Sequence, residues 1–287
     1  MIRIGSRDSR LAVVQAGEVC RALGDCELVT MKTTGDMILD KTLDQVGGKG
    51  LFVKELDRAL ADRRVDLTVH SLKDVPMEQP DGLPLVAFTK RADARDALVL
   101  PTGGMWDKTK PIGCASARRR VQLKALFPDI DVQPVRGNVQ TRLQKLDGGA
   151  YGALVLAAAG LKRLGLEGRI SRYFSPDEII PAAGQGILAV QGRAGEWEEA
   201  ARLVDDPDAR ACATAERAFI KTLGGGCFAP VAAYAETQGD ALHLRGLYVS
   251  ADETHMARGA VTGRRVKAAA LGRALALQLK AQAEGNV

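Results

Sequence analysis

Twice along the chain, a run of branched apolar residues gives way to an amphipathic helix and then to another such run. This alternation restricts the fold more than any other feature. IRIG (2–5) reads as a strand, and 9–23 as a helix with Leu11, Val14 and Val19 facing inward. ELVTMKT (27–33) is a second strand. LFVKELDRALADRR (51–64) is a second helix, with Phe52, Leu56, Ala59 and Leu60 at i, i+4, i+7 and i+8, and VDLTVH (65–70) is a third strand. A β-α-β-α-β series requires a mostly parallel sheet. The series restarts with PIGCAS (111–116) entering a helix, DVQPVR (131–136), a helix over 138–146 stopped by Gly148-Gly149, and GALVLAAAG (152–160) running into another helix. Between the two series lies KRADARDALVLPTGG (90–104), polar and then extended. After about residue 208 the style changes. A helix over 208–226 is followed by alternating runs at 232–237, 241–249 and 255–262, which suit an antiparallel sheet, and by a closing helix at 265–283. The expectation is two α/β units and a third, smaller α+β unit.

The bulk numbers agree. A chain of 287 residues suits two or three domains, and 46% hydrophobic residues supply their cores. Aromatics at 4% leave little material for stacking nucleic-acid bases. The +5 charge comes from 26 Arg and 14 Lys against 35 acids. Arginine's planar fork matches carboxylates and phosphates two bonds at a time, but a GC-rich genome would raise Arg equally well, so position has to decide. Five unpatterned cysteines argue against a disulfide framework and for a reducing cytosol. The start, MIRIGSR, has no apolar stretch of the kind a signal peptide needs, and no apolar run is long enough to span a membrane.

Several motifs fail on their context. GGKG (47–50) lacks the P-loop spacing, and the stretch 34–50 reads instead as a mobile flap. GQGILA (184–189) is followed by a strand where the dinucleotide fingerprint needs a helix. Three dispersed histidines make no zinc site, and His70 reads as a packed residue at a strand end.

What remains unusual is the placing of cations at strand-to-helix corners. Arg7 lies in GSRDS, Arg118 and Arg119 in the first turn after the cap residue Ser116, and Arg136 and Arg142 on either side of the cap residue Asn138. Cations sit at the wrong end of the helix dipole there, at a cost of roughly 0.3–1 kcal/mol each. One such corner is ordinary; three in equivalent places point to bound anions, at the strand ends where open α/β sheets hold ligands. HSLKDVP (70–76) sets Lys73 beside Asp74 at a fourth strand end. LGGGCFAP (223–230) sets Cys227 behind three glycines, which is either a helix stop or a loop presenting a nucleophile; Cys20, Cys114 and Cys212 fall in helix or strand patterns and read as core.

Nine blocks, GSRDSRLAVVQA, GGKGLFVKEL, VHSLKDVP, RRVQL, RGNVQTRLQKL, LAAAGLKRLG, PAAGQG, TAERAF and GGGCFAP, follow one another in the order found in the porphobilinogen deaminase family, which this chain resembles over residues 2 to about 230. The resemblance implies two periplasmic-binding-protein-like α/β domains flanking a cleft (1–90 plus 187–204, and 91–186), with a cofactor-bearing third domain at 205–287. It implies a transferase that joins four porphobilinogen molecules into a linear tetrapyrrole with release of ammonia. The chain would grow on a dipyrromethane cofactor bound through a thioether at Cys227. Asp74 matches the catalytic acid. Lys73, Ser71, Ser116, Arg118, Arg119 and Arg142 would hold the cofactor, and Arg7, Ser9, Arg136 and Arg163 the substrate; Lys49 and Phe52 match a lid, although core packing suits Phe52 nearly as well. The resemblance implies no metal, nucleotide, nucleic acid or membrane partner, and a monomer in the cytoplasm. Cys114 and Ala115 stand where the family usually has hydroxyl residues. The competing reading is a two-lobed binding protein for a small dianion, which accounts for the arginines and the cleft but not for Asp74 or Cys227.

Overall fold

The computed structural model describes residues 1–37, 52–225 and 229–285. The first sheet has the order β2-β1-β3-β10-β4, formed by β1 (Ile2–Arg7), β2 (Cys26–Met31), β3 (Leu67–Ser71), β4 (Leu85–Phe88) and β10 (Leu188–Gly192). The second repeats the design as β7-β6-β8-β5-β9, with β5 (Asp96–Val99), β6 (Ile112–Cys114), β7 (Val132–Pro134), β8 (Ala153–Ala157) and β9 (Ile170–Tyr173). In each sheet three neighbouring strands run parallel, as the alternation requires. In each, one strand is antiparallel, β10 in the first and β5 in the second. These are the strands on which the chain arrives from the other unit, so two crossings join the units and flank a cleft. The third sheet, β11 (Ala232–Gln238), β12 (Ala241–Val249) and β13 (Met256–Arg264), is antiparallel throughout.

Among the described residues, the helices longer than four residues are α1 (Arg10–Leu23), α2 (Lys54–Ala61), α3 (Ala117–Leu126), α4 (Val139–Asp147), α5 (Ala158–Arg163), α6 (Pro207–Thr222) and α7 (Ala268–Ala283). Helix α2 buries Leu56, Ala59 and Leu60 as its spacing predicts. Helix α1 differs from expectation: its buried face is Gln15, Ala16 and Val19, while Leu11 and Val14 are half-buried. Gln15 goes inside because it has a partner there. Its Nε2 donates to Ser71 Oγ at 2.8 Å, and Ser71 Oγ donates back to Gln15 Oε1 at 3.2 Å. Helix α6 ends four residues before the end of its predicted span, and Gly224 beyond it takes a left-handed φ of 64°.

The third unit is held to both crossings by one buried carboxylate. Glu216 on α6 is fully buried and accepts from the backbone N–H groups of Gly184 and Ala235, both at 2.7 Å, and from Arg91 at 2.6 Å. Gly184 is required at its turn: its φ is 75°, and a Cβ there would lie 2.6 Å from Leu72 Cγ.

His70, near the end of β3, is packed as the sequence suggests, with Nε2 2.9 Å from Thr68 Oγ1. Burial, reinforced by Arg7 and opposed by Gln191, pulls its pKa down to about 4. Because the folded value lies below the unfolded one, the unfolded chain takes the proton first. The group's contribution is therefore complete above about pH 6.5 and lost as pH falls toward 4, at about 3 kcal/mol. Denaturation titrations between those limits should be visibly flatter for His70→Gln than for the parent.

Candidate active site

The cleft between the first two units has a volume of about 1480 Å³. Its walls include every described residue that the sequence reading nominated: Arg7, Ser9, Phe52, Ser71, Lys73, Asp74, Ser116, Arg118, Arg119, Arg136, Arg142 and Arg163. Lys49 and Cys227 lie outside the described residues. Gly224 and Gly225, shortly before Cys227, also line the cleft.

The chain reaches this cleft at the carboxyl ends of parallel strands. Strand β3 ends at Ser71 and passes directly into a 3-10 turn, Leu72–Asp74, whose Leu72 is buried beneath. That turn places Lys73 and Asp74 on the cleft wall. Ser9 caps α1, accepting from Ala12 N at 3.4 Å, and Asn138 caps α4, accepting from Thr141 N at 2.9 Å. Ser116 occupies the cap position of α3, but its side chain makes no capping bond, which corrects the sequence reading of it as a side-chain cap.

The pair Arg118 and Arg119 is reconciled by a residue that sequence reasoning missed. Asp96, the first residue of β5, is fully buried between them. Arg118 donates to its Oδ2 at 2.8 Å, while Arg119 donates to Oδ1 through Nε at 3.0 Å and through a terminal nitrogen at 2.7 Å. Gln185, on the second crossing, adds a bond to Oδ1 at 2.9 Å. Burial would push the Asp96 carboxyl up, but the two guanidiniums hold it well below the usual range. The bidentate edge of Arg119 is thus spent inside the protein. Arg163 is likewise engaged, with Glu18 on α1 at 3.1 Å and the Gly186 carbonyl at 3.3 Å.

The charges that remain toward the cleft are crowded. Burial, then Arg119 and Arg136, brings the Arg142 guanidinium down to about 10, and its Nε donates to the Gly137 carbonyl at 2.7 Å. Burial also pulls Lys73 down to about 8, opposed by Asp74 and Asp96 and aided by Arg119 and Arg118. Burial is the first cause of both shifts, and among the residues lining the cleft Lys and Arg outnumber Asp and Glu. Arg7 lies with its guanidinium carbon 4.3 Å from the centre of the Phe52 ring. Phe52 is therefore a half-buried cleft residue rather than a core one. Such a site suits a ligand bearing several carboxylates. A polypyrrole chain with acidic side arms fits it, with Asp74 available as an acceptor for ring N–H groups.

Among the described residues no cluster of His, Cys, Asp and Glu could hold a metal ion, and no helix is long and apolar enough to cross a membrane. The family model "Porphobilinogen deaminase, dipyromethane cofactor binding domain" matches residues 2–201, and the model of that family's C-terminal domain matches residues 210–281. The family match thus extends well past residue 230. Curated porphobilinogen deaminases include that of Ruminiclostridium cellulolyticum, 54% identical over 277 residues covering 94% of each chain. That of Acetivibrio thermocellus is 53% identical over 285 residues, covering 97% of each. That of Chromobacterium violaceum is 48% identical, covering 97% of this chain and 94% of its own. Among solved structures, the BvgS periplasmic VFT2 domain of Bordetella pertussis aligns with a TM-score of 0.41 at 13% identity, over 70% of this chain and 84% of its own, and adds nothing to the assignment. The chain belongs to the porphobilinogen deaminase family.

Proposed function

We propose that the chain condenses four porphobilinogen molecules into linear hydroxymethylbilane at Asp74, with the growing polyacid held by the cations of the cleft. The observation that carries this reading is the excess of Lys and Arg over Asp and Glu in the walls of the cleft that holds Asp74. The dipyrromethane cofactor, joined in this reading to Cys227, supplies a tethered pyrrole carbon as the nucleophile. Lys73, Ser71, Ser116 and Arg142 hold its carboxylates, and Arg118 and Arg119 contribute the N–H groups that Asp96 leaves over. Arg7, Ser9, Arg136 and Arg163 receive the incoming substrate; Arg163 exchanges Glu18 for it. Lys49 and Phe52 close over the site.

Asp74 carries the proton chemistry. Its carboxyl group gives a proton to the departing amine. The resulting carboxylate then faces the electron-poor pyrrole and accepts its N–H, and finally takes up the proton lost as the ring regains aromaticity. Each condensation thus returns Asp74 to its starting state. The divisions 1–90 plus 187–204, 91–186 and 205–287 are those this reading uses, with one copy of the chain acting in the cytoplasm.

Arg142→Leu tests the reading. Loss of one charge-assisted bond to a carboxylate, roughly 1.5–3 kcal/mol, should lower kcat/KM for porphobilinogen about 10- to 100-fold while the fold survives. Steady-state porphobilinogen kinetics measure it; unchanged values would remove Arg142 from the site.

A further inference from the structure

A recess opens off the cleft beside Asp74, between α1 and β3. It has a volume of about 20 Å³; its polar lining includes Arg7, Gln15, Ser71 and Asp74, and Ala12, Val69 and His70 form walls that the main cleft does not share. A water needs roughly 10–15 Å³ and two to four polar partners. Gln15 and Ser71 satisfy each other, yet each keeps capacity: the amide has a second N–H and spare lone pairs, and the hydroxyl oxygen a further lone pair. Asp74 adds its carboxylate oxygens. The recess is therefore polar on one side, roomy enough for one water and too small for a pyrrole.

We propose that this recess holds the water that releases the finished product. The inference rests on the reaction proposed above, whose product ends in a hydroxymethyl group. Its last step adds the elements of water across the carbon–carbon bond joining the finished chain to its anchor. That bond breaks, the anchor carbon gains a proton from Asp74, the methylene carbon gains the water's hydroxyl, and Asp74 regains the water's remaining proton. The condensations before it must escape water, because a hydroxyl arriving at that carbon ends the chain. A cleft of 1480 Å³ is wet when empty and loses its water as rings fill it. A side recess keeps one molecule out of the rings' way and within reach of the residue that moves protons.

Ala12→Val tests this without touching a catalytic group, since it fills the recess from its apolar wall. Enzyme given limiting porphobilinogen is followed by intact mass, which resolves species carrying one to four added units. The first three units should be added at the parent rate, while the four-unit species accumulates and product release slows about tenfold, within the loss that a misplaced reactant causes. A high-resolution crystal structure of the parent holoprotein should show one water within hydrogen-bond distance of Ser71 and Asp74. If Ala12→Val does not fold, that water decides alone, and an empty recess overturns the proposal. A ladder identical to the parent's, or one slowed equally at every step, also overturns it. A parent that forms no ladder at all refutes the reaction itself, and the recess's role with it.

Discussion

Asp74→Asn should lose between about 10² and 10⁴ of kcat, the share that positioned proton transfer commonly supplies. The substitution keeps the shape of the side chain and one acceptor oxygen, so the 3-10 turn over buried Leu72 should stand and the cofactor should stay bound. What disappears is the ability to give and take a proton, which every condensation needs. The surrounding cations should still grip the carboxylates, and so the variant should hold intermediates that it cannot advance. Steady-state kinetics with intact-mass measurement separate the two effects. Turnover within a few-fold of the parent would remove Asp74 from the chemistry.

The second large effect is expected at a residue that does not act in the reaction. Asp96→Asn should destabilise the protein by about 3–5 kcal/mol, the usual penalty for leaving buried charge uncompensated. Both Arg118 and Arg119 lie almost wholly buried on this one carboxylate, and Asn would present an amide N–H toward donors that need an acceptor. Arg118 would keep its bond to the Ile180 carbonyl and Arg119 its bond to that of Val155, so the fold should weaken rather than vanish. Calorimetry should show a fall in Tm on the order of 10 °C. Since the same arginines line the cleft, turnover should drop with it. A thermally normal Asp96→Asn would mean that the pair is balanced some other way.

Local pattern made much of this legible. Leu56, Ala59 and Leu60 repeat at helical spacing because α2 buries one face, and the alternation in 241–249 follows the two faces of β12. The antiparallel direction of β5 and β10 was not legible. Each is short, buried and apolar like its parallel neighbours, and its direction is set by a crossing from the other unit. Edge strand β9 was missed because its ISRY sequence is half solvated and carries no run. At the site, corner arginines stood out because cations at helix starts break a local rule. Asp96 did not, because an aspartate before a strand breaks none, and its partners lie 22 and 23 residues away. Gln15 was not singled out for the same reason: its partner Ser71 is 56 residues distant.

The central claim is that the surplus positive charge of this cleft exists to hold a tethered polypyrrole acid. Intact-mass measurement of the freshly purified, active protein tests it most directly. The account predicts a chain heavier than its sequence by two linked pyrrole units, with the added mass lost in Cys227→Ser. An active protein whose mass equals that of the bare 287-residue chain would contradict it.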